Sequence, residues 1–367
     1  MKLLIAPDSF SGFDSAPGIV ARASEVLEPL GISCIGLPMA DGGEGTTLVL
    51  LNQLTAQTSG HEVSGPLGDP VHAPVLSFEG GHFIEAARAV GRSLFRGPLD
   101  RPWQVSSYGL GEVLSAMDME HEEGPLMVGL GGSACFDGGL GLAQALGLQV
   151  LDAEGNRLPP ISGAEAMERA DRLEGEVPLE DRLVCGWVDV EANLEEAVPA
   201  FGPDKGFQKN DHPRLLAGLQ NWSRVVNEWR ERLHLTPVDP CGQGTGAAGG
   251  LGFALRALLD SPLLPGASAI GQRLNLREAL RSCDAVLTGE GRVDASSFQG
   301  KVVGCVSTLA RQCDTPVYVL TGQVRGPLPL PPVGPDKIFA CEDAQDPNWD
   351  TAFVSTVKRL AEHLRDG

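Results

Sequence analysis

The chain has 367 residues, 42% hydrophobic and 21% charged, which is enough apolar material for the core of a globular protein and too much for a disordered one. Its 47 glycines follow no Gly-X-Y period, so a collagen-like chain is excluded and glycine-rich functional loops are expected. The net charge of −20 repels nucleic-acid phosphates and anionic lipid headgroups, so we expect neither nucleic acid nor a membrane as a partner.

Short apolar runs alternate with helical patterns along the chain, which is typical of an α/β protein. In chain order, the patterns predict strands at 2–6 and 34–37 with a helix at 17–30 between them, and later strands at 285–287 and 317–320 with a helix at 301–311 between them. Open α/β sheets hold ligands in the loops at the carboxyl ends of their strands. We therefore expect the residues that carry the chemistry to follow strands.

The middle of the chain differs from both ends. Its patterns predict a turn-rich segment at 64–74, strands at 126–128 and 183–188, and a helix at 214–235. In that helix Trp222 and Trp229 share one apolar stripe, which is typical of a core-facing helix. We interpret residues 66–282 as a second α/β domain inserted into a first domain made of 1–65 and 283–367, with boundaries set to within about 20 residues.

Three loops combine glycine with acidic residues. They are Ala40 to Thr46, Gly129 to Gly139 and Thr288 to Asp294. Glycine lets consecutive backbone N–H groups converge on an anion, while neighbouring carboxylates can hold Mg²⁺ or accept a proton. Phosphoryl transfer needs that combination. Each loop taken alone could be an ordinary tight turn, so the indication comes from finding three in one chain.

Two further glycine motifs are weaker. Residues 129–134 follow a predicted strand and match the dinucleotide fingerprint G-x-G-x-x-A, which leaves a nicotinamide-dependent oxidoreductase open as an alternative. A helix directly after that motif would contain three glycines, so we expect the loop to continue to Gly139 and the helix to start near Leu140. Around Gly300 and Lys301 the chain approaches a P-loop but lacks its first glycine, so Lys301 is either a phosphate-binding charge or a solvated lysine at a helix start.

The cysteines and histidines give no sign of a zinc site or a disulfide framework. Eight cysteines occur without a C-x-x-C pair, and seven histidines occur without H-x-x-x-H spacing. The first ten residues soon reach Asp8, which favours a first strand over a signal peptide. Together these features predict a cytoplasmic protein.

Seven motifs in order resemble those of the type 1 glycerate kinase family. They are IAPDSF, PMADGGEGT, GLGGSA, DGGLGLAQALG, FGPDKG, GAAGGLG and TGEGRVD followed by Gly300-Lys301, and they span nearly the whole chain. The resemblance implies transfer of the γ-phosphoryl group of ATP to a hydroxyl of D-glycerate, with Mg²⁺. It also implies an active site in a cleft between two α/β domains, a Rossmann- or flavodoxin-like parallel-sheet domain and the inserted one.

The chain departs from the family pattern at several positions. Ser11 stands where the family has lysine, Phe136 where it has asparagine, Ser296 where it has glutamine and Val303 where it has proline. The family's Asp-Val-Asp-Asn-Pro-Leu stretch is reduced to residues 189–194. A catalytically weakened relative that binds small hydroxy acids is therefore a further alternative.

A kinase of this type needs a base for the acceptor hydroxyl, donors and cations for anionic groups, and ligands for Mg²⁺. We expect Asp189, or as second choice Asp8, to be the base, although either could be a capping or turn residue. The remaining candidates are Lys301 as a catalytic cation; Arg292, Asp41, Glu44, Asp294 and Lys205 for the substrate; Gly42, Gly43, Gly131, Gly132 and Ser133 for nucleotide phosphates; and Glu290 and Asp294 for the metal.

For two of these residues a second role stays open. Arg292 could instead neutralise its acidic neighbours, and Lys205 could lie in a surface turn. The sequence does not decide between the 2- and the 3-hydroxyl of glycerate. It also leaves the oligomeric state undecided, a homodimer included.

Overall fold

The computed structural model describes residues 1–120, 123–329, 334–344 and 348–366. The strands are β1 (Lys2–Ile5), β2 (Ser33–Gly36), β3 (Ala56–Ser64), β4 (Pro70–Phe78), β5 (Gly81–Glu85), β6 (Leu126–Gly129), β7 (Gln149–Leu151), β8 (Arg172–Glu174), β9 (Val184–Val188), β10 (Leu263–Pro265), β11 (Ala285–Val293), β12 (Val317–Val324) and β13 (Lys337–Ala340). The α-helices are α1 (Ala16–Leu27), α2 (Thr46–Gln53), α3 (Ala86–Val90), α4 (Tyr108–Met119), α5 (Leu140–Ala145), α6 (Leu194–Phe201), α7 (His212–Arg232), α8 (Ala247–Leu259), α9 (Gly266–Arg273), α10 (Leu276–Arg281), α11 (Val302–Arg311) and α12 (Trp349–Asp366).

The chain forms two compact units. Unit 1 comprises Met1–Asp41, Gly45–Leu54 and Pro265–Gly367, and unit 2 comprises Gly42–Glu44 and Thr55–Leu264. Both combine helices with sheets, which confirms the α/β class predicted from the sequence. The expected domain boundaries, 65/66 and 282/283, lie somewhat further along the chain and remain predictions.

Unit 1 contains a five-stranded parallel sheet in the order β13-β12-β11-β1-β2. Numbered within the unit this is the flavodoxin order, so the predicted parallel-sheet type is confirmed. Helix α1 covers the sheet because Ile19, Ala23 and Leu27, spaced four residues apart, form one buried stripe. Ser15 caps its first turn by accepting a hydrogen bond from the Gly18 amide.

Unit 2 contains a six-stranded mixed sheet in the order β10-β9-β6-β5-β4-β3. Strands β5, β6 and β9 run parallel, and β3 and β4 form an antiparallel pair at the edge. On α7, Trp222 and Trp229 are buried, which confirms the predicted core-facing stripe. Their indole N–H groups donate to the carbonyls of Gly138 and Gly175, each at 3.0 Å, so the polar end of each ring is satisfied in the core.

The structure tests three local predictions: the start of α5, the TGEGRVD loop and the turn-rich segment 64–74. The prediction that the helix after the second glycine loop begins near Leu140 is confirmed, since α5 starts there. The prediction that TGEGRVD is a loop is wrong for its first six residues, because β11 keeps pairing with β12 as far as Val293. In the turn-rich segment 64–74, residues 65–69 form the turn between β3 and β4, with the Gly65 amide donating to the Asp69 carbonyl, while 64 and 70–74 belong to the two strands.

Among the described residues, no helix is both long enough and apolar enough to cross a bilayer.

Candidate functional site

A pocket of about 240 Å³ lies in unit 2 at the carboxyl ends of neighbouring parallel strands. Because Gly129 of β6 pairs with Trp187 of β9, the segments that follow these two strands emerge side by side. Leu130 to Ser133 follow β6, and Asp189 follows β9. The complete lining is Arg92, Leu130, Gly131, Gly132, Ser133, Asp189, Val190, Phe201, Asp204, Lys205 and Ala248.

The glycine loop of this pocket is held by backbone hydrogen bonds on both sides of Ser133. The Arg92 amide donates to the Gly132 carbonyl at 2.9 Å, and the Ala134 amide donates to the Val90 carbonyl at 2.8 Å. Gly132 has φ +75°, a left-handed conformation that side chains other than glycine rarely adopt. In the part of the chain that the structure describes, the amides of Gly132 and Ser133 have no protein acceptor. The loop therefore offers two backbone donors to an anion.

The first glycine motif contributes a short segment to the same unit. The Gly131 amide points at the Gly42 carbonyl at 3.4 Å, and a Cβ on Gly131 would lie 2.5 Å from the Cα of Gly43. That Cβ would also lie 3.2 Å from Oδ2 of Asp189. Glu44 is exposed beside Gly132. The first two glycine motifs and the expected base therefore meet within unit 2.

Lys205 is buried in the pocket wall. Its Nζ donates to Oγ of Ser133 at 2.7 Å and to the Cys135 carbonyl at 2.9 Å. Burial lowers the pKa of Lys205, while the thiol of Cys135 and the carboxylates of Asp189 and Asp137 act in the opposite direction. The alternative of an exposed surface turn does not describe this lysine, because 8% of the residue is exposed.

Sequence reasoning missed Arg92 as a pocket residue. Its guanidinium donates to the Gly97 carbonyl at 2.6 Å, and its backbone amide holds the glycine loop. In the sequence, Arg92 is indicated only by its place after β5 and the short helix α3. Open α/β sheets bind ligands in the segments that follow their parallel strands.

Asp137 of the second glycine motif does not line the pocket. It is fully buried, and its carboxylate accepts hydrogen bonds from the amide and hydroxyl of Ser107 and from the amides of Gly139 and Gly141, at 2.8 to 3.2 Å. Burial raises the pKa of Asp137 above its ordinary value. This carboxylate orders the start of α5 and is committed to the fold.

A second group of predicted residues lies in unit 1, where β1 and β11 are neighbours. At this position the strand order of the sheet reverses, and open α/β sheets bind ligands at such switch points. Asp8 follows β1, and its amide donates to the Gly289 carbonyl at 2.8 Å. Burial, with the charges of Asp41 and Glu290, raises the pKa of Asp8 well above its ordinary value, while Lys301 opposes the effect.

Glu290 shares this environment. Burial raises its pKa above the ordinary value, against the opposing effects of the Ser297 hydroxyl and Lys301. Its Oε1 is buried and has no hydrogen-bond partner among the described residues. Lys301 is half-buried before the first residue of α11, and its charge lowers the pKa of both Asp8 and Glu290.

Asp294 and Arg292 lie at the end of the same strand. Asp294 caps the short turn Ala295–Phe298, and hydrogen bonds from the Ser296 hydroxyl and amide lower its pKa. The Arg292 guanidinium lies 3.9 Å from the Asp294 carboxylate, and 67% of its side chain is exposed. This ion pair corresponds to the second role considered for Arg292, neutralisation of an acidic neighbour.

The residues that depart from the family pattern lie in different environments. Ser11 is exposed, and its amide nitrogen lies near Gly291. Phe136 is fully buried, packs edge-on against Phe207 at 5.8 Å between centroids, and has the Lys205 ammonium 5.6 Å from its ring centre. Asn193, in the shortened stretch, caps α6 with a capping box.

The predicted residues thus form two groups, each within one unit. Unit 2 holds Gly42, Gly43, Glu44, Gly131, Gly132, Ser133, Asp189 and Lys205, and unit 1 holds Asp8, Asp41, Glu290, Arg292, Asp294 and Lys301. Across the described ranges, no three His, Cys, Asp or Glu side chains are grouped so that they could hold a metal ion by themselves. Mg²⁺ usually takes one or two carboxylates and completes its shell with waters and substrate phosphates.

Comparison with known proteins agrees with these motifs. A family model described as the glycerate kinase family matches residues 3–364. The chain is 34% identical over 336 residues to glycerate 2-kinase of Escherichia coli K12, a match that covers 88% of this chain and 86% of the relative. It is 32% identical over 384 residues to glycerate kinase of Bacillus subtilis 168, with 100% and 96% covered.

A solved structure gives the same result. It is a crystal structure from Salmonella typhimurium LT2 with the provisional name glycerate kinase 2, and it matches with a TM-score of 0.79 and 31% identity over 100% of this chain and 99% of that one. The chain therefore belongs to the glycerate kinase family.

Proposed function

We propose that the protein transfers the γ-phosphoryl group of ATP to a hydroxyl of D-glycerate in the presence of Mg²⁺. One observation carries the proposal. The unit 2 pocket of about 240 Å³ is lined by Asp189, Lys205 and Arg92 and by Gly132 and Ser133, whose amides have no protein acceptor among the described residues. A carboxylate beside a group of anion donors is what phosphoryl transfer to an alcohol needs.

Asp189 is the proposed base. It accepts the proton of the glycerate hydroxyl while the hydroxyl oxygen forms a bond to the γ-phosphorus of ATP. The bond between the γ-phosphorus and the oxygen that bridges to the β-phosphorus breaks, and ADP is released. Asp189 suits this role because it lines the pocket, and the position of a Cβ on Gly131 would be 3.2 Å from its Oδ2. Asp8, whose pKa burial raises, remains the second candidate.

Backbone donors and cations are proposed to bind the phosphoryl oxygens. The amides of Gly132 and Ser133 point to no protein acceptor among the described residues, so they can donate to an anion without breaking an existing bond. Gly42 and Gly43 are proposed to keep this loop in place, because they pack directly against Gly131. These local donors offset the −20 charge of the chain, which would otherwise repel a nucleotide.

The carboxylates of unit 1 fit a divalent cation. Glu290 has a buried oxygen without a hydrogen-bond partner among the described residues, and Mg²⁺ prefers such a ligand. We propose Glu290, with Asp294 as second ligand, to hold Mg²⁺; when bound, the ion would neutralise charge on the phosphates. Lys301 is proposed to stabilise charge beside Asp8 and Glu290.

The residues proposed to bind glycerate are Arg292, Asp41, Glu44, Asp294 and Lys205. The exposed guanidinium of Arg292 can form two hydrogen bonds to the glycerate carboxylate, and carboxylates can accept hydrogen bonds from its hydroxyls. We further propose a cytoplasmic location, supported by eight free thiols.

The test is ADP release, followed in a coupled assay with ATP, Mg²⁺ and D-glycerate, with ³¹P NMR of the product to distinguish the 2- from the 3-phosphate. We expect turnover that requires both D-glycerate and Mg²⁺, and almost none in Asp189→Asn. Ligand binding without turnover would instead indicate a non-catalytic relative. Saturable NADH binding, measured by fluorescence, would indicate the oxidoreductase alternative.

A further inference from the structure

The hydrogen bonds of Lys205 fix the direction of a neighbouring hydroxyl. An ammonium group has three donors and no acceptor, so in its 2.7 Å contact with Ser133 the serine oxygen must be the acceptor. The proton of the Ser133 hydroxyl must then point away from Lys205. A second Lys205 donor is used on the Cys135 carbonyl, so two of its three N–H groups hold the glycine loop.

Two directions remain for the Ser133 proton. Ser133 lines the pocket, and the Cys135 thiol is within its hydrogen-bonding reach. A thiol sulfur is a weak acceptor, and burial raises the pKa of Cys135 to about 12, so this group stays protonated at neutral pH. A phosphoryl oxygen in the pocket would be a much stronger acceptor than the thiol.

We propose that Lys205 is a positioning residue that orients the Ser133 hydroxyl as a donor to a phosphoryl oxygen bound at the amides of Gly132 and Ser133. The inference rests on the proposed function, since it deepens the role of the same pocket. It differs from direct contact between Lys205 and that phosphoryl oxygen, because the lysine acts on the oxygen through Ser133. The third N–H of Lys205 is left for the contact with glycerate proposed above. The ring of Phe136, 5.6 Å from Nζ, helps to stabilise the buried charge.

A double-mutant cycle tests the coupling. The dissociation constant of inorganic phosphate is measured by calorimetry at pH 8 for the unmodified protein, Ser133→Ala, Lys205→Met and the double variant. We expect each single change to weaken binding about tenfold and the double change to add little, because residues in one hydrogen-bond network are not additive. Multiplicative losses, an unaffected Lys205→Met, or no phosphate binding by the unmodified protein would overturn the proposal.

Matched variants separate this role from a general effect on the fold. Lys209→Met removes the same charge from an exposed lysine four residues away and should leave phosphate affinity unchanged. Ser133→Thr keeps the hydroxyl and should retain most of the affinity. Thermal unfolding of all variants identifies any that fail to fold, and a Lys205→Met protein that melts like the unmodified one but binds phosphate normally would contradict the proposal.

The pH dependence distinguishes orientation from simple attraction. The charged groups that face Lys205 or the pocket beside it are the carboxylates of Asp137, Asp189 and Asp204 and the guanidinium of Arg92. Phosphate stays a dianion above pH 8, so its affinity is compared between pH 8 and 10. The Cys135 pKa of about 12 lies above this range, whereas burial lowers that of Lys205. Once neutral, Lys205 can accept the Ser133 proton, so affinity should fall as pH rises.

The decrease in phosphate affinity with rising pH should be absent both from Lys205→Met and from Ser133→Ala. Its persistence in Ser133→Ala would mean that Lys205 attracts the anion directly, and this would overturn the proposal. Failure of this proposal can be distinguished from failure of the proposed function, because phosphate binding does not depend on glycerate turnover. A coupled Lys205 and Ser133 in a protein that does not phosphorylate D-glycerate would reject the proposed function alone.

Discussion

Replacing Gly131 with alanine tests the close packing between the glycine loop and the expected base. Gly131 does not have a left-handed φ, so the added methyl strains no backbone torsion. Its Cβ would lie 2.5 Å from Cα of Gly43 and 3.2 Å from Oδ2 of Asp189. Carbon atoms in contact are usually about 3.5–4.0 Å apart, so one backbone segment must move by about 1 Å.

The size of the effect follows from that displacement. Added methyl groups in a packed region typically cost about 1–3 kcal/mol of unfolding free energy. A displacement of about 1 Å in a catalytic site can lower the rate about 100-fold. For Gly131→Ala we therefore expect kcat/KM for D-glycerate, measured by coupled ADP release, to fall about 100-fold, and urea unfolding to report a loss of about 1–3 kcal/mol.

Gly218→Ala is the matched control. This glycine lies in α7, and the nearest side-chain atoms to an added Cβ are those of Met167, at an ordinary 3.4 Å. Alanine is favoured over glycine inside a helix by about 0.5–1 kcal/mol, so this variant should keep its activity and gain stability. A Gly131→Ala protein with the activity and stability of the unmodified one would refute the packing argument. Lost stability with unchanged kcat/KM would refute the role of this loop in the reaction.

Three further predictions concern single residues. Asp189→Asn should lower kcat at least about 100-fold in the ADP-release assay, with a nearly unchanged melting temperature, because a general base is lost; full turnover would reject this assignment. Ala248→Gly should raise the free energy of unfolding in urea by about 1 kcal/mol, since Ala248 has φ +54°, and an equal or lower stability would contradict that reasoning. At pH 8, iodoacetamide should modify the exposed Cys241 in the native protein, as peptide mass mapping would reveal. Cys135 should react only after unfolding, because it is buried and its pKa is raised to about 12. Labelling of Cys135 in the native protein would contradict its burial.

Local patterns in the sequence were sufficient to predict much of the fold. The alternation of apolar runs and helical stripes predicted the α/β class, and the cost of helical glycine correctly predicted a helix start at Leu140. The failure at TGEGRVD has a clear cause. Glycine and charged residues indicate a loop locally, but pairing with β12 supplies hydrogen bonds that extend the strand to Val293.

The candidate site was predictable in composition but not in the roles of its members. Their positions after predicted strands indicated that Gly131, Ser133 and Asp189 would matter. These positions gave no reason to separate Asp137 from them, although Asp137 is enclosed by donors that order α5. They also gave only a weak indication of Arg92.

The sequence by itself determined the family, the α/β class and the loops that carry glycine and carboxylates, because these depend on residue types at short spacing. Only the tertiary structure decided which polar group each side chain meets. Lys205 and Ser133 are 72 residues apart in the chain, yet a 2.7 Å hydrogen bond joins them. Burial, hydrogen-bond direction and charge depend on such distant neighbours, and short-range patterns carry no information about them.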